Sequence, residues 1–177
     1  MTPKHKDQRV SVFIDVQNLY HSAKNLYQAR VNFREILKDG VAGRQLIRSF
    51  AYVVRTKTGE EKPFFDALTN LGIETRVKDL QEYYGGLKKA DWDVGIAVDA
   101  IKTSDSVDVV VLVSGDGDYV PLVEYLKNHG KRVEAMAFGK STSTKLREAA
   151  DEFIDLSEGS EKYLLLKKSR WPINIIK

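Results

Sequence analysis

The chain has 177 residues, of which 42% are hydrophobic and 30% charged, and its formal net charge is only +3. This suits one well-buried core in ordinary soluble proportions, and a charge so small does not by itself force nucleic-acid binding. The absence of cysteine excludes disulfides, zinc–thiolate sites and thiol catalysis.

The first nine residues are polar and lack an apolar signal core, and no run approaches the ~20 apolar residues of a membrane helix. A cytoplasmic protein with no membrane association is therefore expected. In chain order, residues 10–16 (VSVFIDV) are mostly apolar and β-branched, which predicts a central strand. Leu19, Ala23, Leu26 and Tyr27 fall at helical spacing and predict a helix over 17–29. Residues 33–39 read as a short helix closed by Gly40, and 45–54 as a second strand followed by a polar turn at 55–59. Pro63 suits the first turn of a helix that carries Phe64, Leu68 and Leu71 and stops at Gly72. Residues 73–80 form a third predicted strand, and 81–89 a polar loop before a helix over 93–103. Residues 107–113 are the fourth strand, 119–128 a helix ended by Gly130, and 132–138 the fifth strand. A Ser/Thr-rich loop over 140–144 opens a short helix to Ala150, and 153–156 reads as a sixth strand.

Strands alternating with helices at this spacing predict an α/β fold, a three-layer α/β/α sandwich around a mainly parallel central sheet, over residues 1–156. In residues 157–177, Lys162, Lys167, Lys168 and Arg170 surround Tyr163, Leu164, Leu165, Leu166 and Trp171. This basic and aromatic tail is expected to pack on the domain or to meet a partner.

The most informative stretch is VSGDGDYVP, residues 113–121. A buried strand there delivers Asp116 and Asp118 to a glycine-loosened turn at its carboxyl end, the edge at which open α/β sheets bind ligands. Two acids with little room to pair both with bases point to an oxygen-ligand site for Mg²⁺ or Mn²⁺. The plainer reading makes Asp118 a helix cap beside glycines that supply positive φ.

Asp15 ends the first strand, where an uncompensated acid costs several kcal/mol of desolvation. Capping the following helix is one role for it, and Asn18 suits that role equally well. Because strands one and four are both expected to be central, Asp15 and Asp116 are predicted to face one another across the sheet rim. Residues 88–99 add Asp91, Asp93 and Asp99. Val94, Ala97, Val98 and Ile101 make an i, i+3, i+4, i+7 stripe, predicted to be the buried face of the helix. Asp93 lies on the margin of that stripe, where cap and metal ligand are both open. Asp99 sits roughly 150° from its centre at ~100° per residue, a solvated position, and Asp91 falls in the loop.

Three blocks stand in order, FIDVQNL, DWDVGIAVDAI and LVSGDGDYVPLVEYLKNHGKRV. Together they resemble the NYN domain, the PIN-like nuclease family that takes in the LabA/DUF88 proteins, over about residues 10–156. The resemblance implies a PIN-like sandwich and metal-dependent ribonuclease activity. It implies an acidic metal cluster at Asp15, Asp93, Asp116 and Asp118, with Asn18 and a second helix acid, Asp99, in the catalytic set. Asp99 thus enters against its helical phase. One departure is local: Lys89-Ala-Asp-Trp-Asp93 replaces the lysine–glycine turn usual before the helix acid, which bears on Lys88 and Lys89 as substrate contacts.

The expected function is hydrolysis of RNA phosphodiester bonds with Mg²⁺ or Mn²⁺, with Asn18 and Ser114 positioning the phosphate or an outer-shell water. The expected partner is single-stranded RNA, gripped by basic residues on phosphates and aromatics on bases. Candidates are Lys88 and Lys89 beside Tyr83, Tyr84 and Trp92, and Lys140, Lys145 and Arg147 after the fifth strand. A phosphatase of the DxDx[TV] type is disfavoured because Val16 and Gln17 follow Asp15. The stronger rival is an RNA-binding or regulatory scaffold of the same fold with weak or no turnover; a homodimer is left open.

Overall fold

Parallel strands make the framework, and their order decides where a ligand can sit. The structure, a computed structural model, describes residues 3–86 and 88–165, and of residues 88 and 89 only the backbone. Along the chain come β1 (Arg9–Asp15), α1 (Val16–Tyr27), β2 (Arg30–Val31), α2 (Phe33–Val41), β3 (Gln45–Arg55), α3 (Lys62–Asn70) and β4 (Glu74–Asp79). The short β5 (Gln81–Glu82) and β6 (Lys88–Lys89) precede α4 (Asp93–Ser104) and β7 (Val109–Val113). After a 3₁₀ turn (Gly117–Tyr119) come α5 (Val120–Asn128), β8 (Arg132–Ala137) and a second 3₁₀ turn (Gly139–Ser141). The remaining elements are α6 (Thr144–Ala149), β9 (Glu152–Asp155), α7 (Ser160–Tyr163) and β10 (Leu164–Leu165).

The six-stranded sheet has the order β4-β3-β1-β7-β8-β9, with every pairing parallel. From β1 the chain builds outward to β3 and β4, then returns through α4 to β7 and builds the other half. The crevice outside the carboxyl ends of β1 and β7 is therefore the switch point of a doubly wound sheet, where ligands bind.

Alternation along the central strands divides the core into two layers. Val10, Val12 and Ile14 of β1 and Val109, Val111 and Val113 of β7 cluster with Leu19 and Ala23 of α1, Ile36 of α2 and Leu68 of α3. Phe13, Phe50, Tyr52, Val110 and Leu112 cluster with Ile96 and Ala100 of α4, Leu122, Val123 and Leu126 of α5 and Leu146 of α6. Burial on both faces explains why these strands read as near-continuous apolar runs.

Several local expectations are corrected. Val16, expected as the last strand residue, opens α1, because Asp15 caps the helix one residue earlier. Gly40 does not close α2 but lies inside it. A Cβ there would stand 3.3 Å from Met136 Sδ, so the glycine lets the helix settle onto β8. Residues 81–89, expected as a loop, contain the antiparallel pair β5–β6.

The stripe on α4 is the largest correction. Val94 is 74% exposed, and Val98 and Ile101 are also exposed, whereas Ile96, Ala100, Thr103 and Ser104 are buried. This helix is apolar nearly all round, so periodicity offered two faces, and contact with the sheet selected the one carrying Ile96 and Ala100. Asp93, three residues before Ile96, shares the inward side.

The first part of the tail lies on the domain. Leu164 and Leu165 pair with Val31 and Arg30 of β2, the backbone N–H of Asn32 donates to the Tyr163 carbonyl at 2.7 Å, and Lys162 meets Asp39 at 2.6 Å. Lys167, Lys168, Arg170 and Trp171 lie outside the described residues. Elsewhere in the sheet, the buried Glu134 of β8 is matched by Arg44 through two bonds of 2.9 and 2.8 Å. That charge is structurally compensated, which sets the contrast for Asp15.

Candidate metal centre

Asp15 ends β1 and is 8% exposed. Its Oδ1 accepts from the backbone N–H of Asn18 at 3.2 Å, making it the N-cap of α1. Its Oδ2 accepts from the Ser114 hydroxyl at 3.1 Å and faces the Tyr119 hydroxyl at 3.4 Å. The Asn18 side chain, not needed as a cap, accepts from the Gly115 N–H at 2.9 Å and ties the first turn of α1 to the loop after β7. Ser114 extends the link, because its oxygen also accepts from the Asp116 N–H at 3.2 Å.

Asp116 caps the 3₁₀ turn, its Oδ1 accepting from the Asp118 N–H at 2.9 Å. The helix cap expected at Asp118 is thus supplied two residues earlier, and Asp118 is left exposed. Glycine is required here for close approach rather than for positive φ. A Cβ on Gly115 would stand 2.9 Å from Thr142 Oγ1, and one on Gly117 2.7 Å from Ser143 Oγ. The Ser143 N–H also donates to the Gly115 carbonyl at 2.9 Å. The Ser/Thr loop after β8 therefore buttresses the acidic turn.

Asp93, at the first turn of α4, completes the arrangement. Asp93, Asp116 and Asp118 each present a carboxylate oxygen, and these oxygens lie within 4.8 Å of one another. Two of the acids are half-buried and the third is exposed. Asp15 is not part of that group. Its oxygens are engaged by Asn18, Ser114 and Tyr119, and it is more deeply buried than the three. No ion pair between any of these four acids and a lysine or arginine is found among the described residues.

Burial pushes the Asp15 carboxyl up to about 6, reinforced by the charges of Asp93 and Asp116 and opposed by hydrogen bonds from Asn18 and Ser114. Burial also raises Asp93, against the hydrogen bond from Tyr119, and the charges of Asp116, Asp91 and Asp118 raise it further. Tyr119 is raised by burial and by Asp15 and Asp93, so its phenol keeps its proton. An all-oxygen set of converging carboxylates without a base fits a hard divalent cation, which would relieve the repulsion that the protein leaves in place.

Tyr119 is the residue that sequence reasoning missed. Its hydroxyl stands 3.1 Å from Asp93 Oδ1 and 3.4 Å from Asp15 Oδ2, so one proton serves two acids from different elements. The signal was available: a tyrosine directly after the second aspartate of SGDGD must find a partner for its hydroxyl once buried. Tyr119→Phe is expected to keep the fold and weaken Mn²⁺ binding roughly tenfold, the low end of losses seen when the orientation of a ligand is released. Calorimetric titration with Mn²⁺ checks this, and unchanged affinity would show that the hydroxyl does not orient Asp93.

The other predicted residues are placed as follows. Asp99 accepts from the Tyr52 hydroxyl at 2.9 Å and faces Arg76 Nε at 3.4 Å, six residues and about 9 Å along α4 from Asp93. It is thus neither solvated nor in the carboxylate group. Trp92 donates from Nε1 to the Val53 carbonyl at 2.9 Å, and its ring would collide with any Cβ on Gly95. It braces the start of α4 and remains half-buried. Tyr84 is fully exposed between β5 and β6. Lys140 and Lys145 are exposed at either end of the loop that buttresses Gly115 and Gly117. The side chains of Lys88 and Lys89 lie outside the described residues.

The family model of the NYN domain matches residues 9–158. "Low amplitude and bright protein LabA" of Synechococcus elongatus is 28% identical over 163 residues, covering 86% of this chain and 86% of that protein. An uncharacterized protein, MJ0482 of Methanocaldococcus jannaschii, is 26% identical over 157 residues, covering 86% of this chain but 57% of the relative. The crystal structure of VPA0982, a protein of unknown function from Vibrio parahaemolyticus, superposes with a TM-score of 0.82 at 28% identity. That match covers 93% of this chain and 100% of the other. With the parallel sheet, the acids at its switch point and a match over nearly the whole described length, the chain belongs to the NYN domain family of PIN-like nucleases.

Proposed function

We propose that the protein is a metal-dependent ribonuclease that hydrolyses phosphodiester bonds of single-stranded RNA. The observation that carries this reading is the convergence of Asp93, Asp116 and Asp118 within 4.8 Å at the switch point. These three would hold Mg²⁺ or Mn²⁺, which when bound would supply a water of lowered pKa and neutralise charge developing at the phosphate.

The chain's own groups do the rest. Tyr119 holds Asp93 toward the crevice, and Asp15 deepens its negative potential from behind. Asn18 and Ser114, each already bonded to the loop after β7, fix the spacing between the two strand ends rather than touching phosphate directly. Lys140 and Lys145 on one flank, and Lys88 and Lys89 on the other, meet phosphates entering and leaving, while Tyr84 and Trp92 offer aromatic surface to unpaired bases.

The test is a cleavage assay on end-labelled single-stranded RNA, duplex RNA and single-stranded DNA, with Mn²⁺, with Mg²⁺ and with chelator. Metal-dependent cutting of single-stranded RNA supports the proposal. Binding of that RNA without cutting under every metal condition would instead identify a non-cleaving scaffold.

A further inference from the structure

The face of β3 and β4 that looks toward α4 carries an ordered set of cations outside the acidic cluster. Strand register pairs Phe50 with Glu74, Tyr52 with Arg76 and Val54 with Lys78, so alternate residues of both strands share this face. The Arg48 guanidinium lies 4.5 Å from the centre of the Phe50 ring and that of Arg76 lies 5.1 Å from the same ring. Lys78 Nζ stands 4.4 Å from the centre of the Trp92 ring. Phe50 itself is 1% exposed, whereas the side chains of Arg48 and Arg76 above it are 44% and 41% exposed. The aromatic layer is thus roofed by cations whose outer faces meet solvent.

Acids only partly offset these charges. Glu74 pairs with Arg48 at 2.7 Å and Asp99 with Arg76 at 3.4 Å, while Lys78 donates to a backbone carbonyl, that of Asp91, at 2.6 Å. Lys102, one turn beyond Asp99 on α4, is exposed as well. The set begins at the metal centre, because Trp92 directly precedes Asp93. Tyr52 pairs with Asp15 on one side and Arg76 on the other, which puts Arg76 level with Asp15, two strands away in the sheet. Arg48 lies four residues back along β3, about 13 Å away at ~3.3 Å per residue.

We propose that this cation–aromatic platform binds the single strand of RNA on one side of the cleaved phosphodiester. The proposal rests on the ribonuclease reading for its substrate. Planar guanidinium groups backed by an aromatic ring give bases a surface to stack on, and their free N–H groups and Lys78 give phosphates donors. Glu74 holds Arg48 through two bonds of 2.8 and 2.7 Å, so an RNA phosphate must compete with it at this exposed pair, whereas Lys78 is held only by a backbone carbonyl.

The test measures binding of fluorescent single-stranded RNAs of about 6 and about 12 nucleotides, lengths within the range of one groove. An Asp116→Asn background slows turnover during the titration. Arg48→Gln with Lys78→Gln is compared with Lys6→Gln with Arg9→Gln, which removes the same charge at the opposite rim. The platform pair is expected to weaken the longer RNA about tenfold, lower the salt slope by about 1 and leave the shorter RNA within twofold. The control pair should leave both RNAs unchanged. Equal loss in both pairs, loss in neither, or no RNA binding by the parent protein overturns the platform. Cleavage by the wild-type enzyme with unchanged binding by the platform pair sinks the platform alone. Platform-dependent binding without any cleavage sinks the ribonuclease reading alone.

Discussion

Asp116→Asn is expected to reduce RNA cleavage by at least about 100-fold and to remove the stabilisation conferred by Mn²⁺. At a free metal concentration ~100 times Kd, binding stabilises the native state by about 2.7 kcal/mol, or roughly 5–10 °C in Tm for a domain of this size. The substitution separates charge from fold. An asparagine oxygen can still accept from the Asp118 N–H as Asp116 Oδ1 does at 2.9 Å, so the 3₁₀ turn keeps its cap. What disappears is one negative charge from a group of three. Without metal the variant should be as stable as the parent or slightly more so, because a mutual repulsion is relieved. Melting curves with and without millimolar Mn²⁺ decide the matter. A full metal-induced rise in the variant would mean that the ion, if bound, does not use this carboxylate.

The second large effect concerns Asp15. Burial raises its carboxyl from the usual 3.8 to about 6, so the folded protein favours the protonated form. The sign follows directly: stability associated with this proton is complete below about pH 4 and is lost as pH rises through about 6. The gap between 3.8 and about 6 corresponds to about 3 kcal/mol at neutral pH in the metal-free protein. Asp15→Asn removes the ionisation while leaving an oxygen to cap α1. Its Tm should exceed that of the parent by roughly 6–12 °C at pH 7–8 and converge with it near pH 4. RNA cleavage should fall nonetheless, since the negative charge behind Asp93 is gone, an exchange of activity for stability common at active sites. Parallel melting profiles across pH 4–8 would show that Asp15 carries no buried-charge penalty. By contrast, Glu134 is just as deep but is held below the ordinary glutamate range; burial pushes it upward, and hydrogen bonds from Arg44 and Arg132 outweigh that push.

Much of this arrangement was legible in one dimension. The apolar runs around Val10–Ile14 and Val109–Val113, each ending in acids, point to adjacent central strands whose carboxyl ends share a crevice. Asp15 and Asp116 do meet there, linked through Ser114. The roles within the crevice were less legible. Asp15 had the same standing as Asp93 and Asp116 along the chain. Three donors, two of them about a hundred residues away, occupy its oxygens, and it is not one of the three acids whose oxygens converge within 4.8 Å. Asp99 was assigned to solvent because its helix was read with the wrong face inward.

The alternation of strands and helices, the parallel sheet and the acids at its rim can all be read from the order of residues along the chain. Hydrophobic period, caps and turn residues act over neighbours that local order already brings together. Long-range packing sets which face of α4 turns inward, which carboxylates converge and which are tied, and why Gly115 and Gly117 are glycine. Each of those depends on a surface contributed from elsewhere: the sheet against Ile96 and Ala100, the Tyr119 hydroxyl against Asp93, and the Thr142–Ser143 loop against the acidic turn. A helix with apolar residues all round, or an acid with an open oxygen, takes its role from what packs against it.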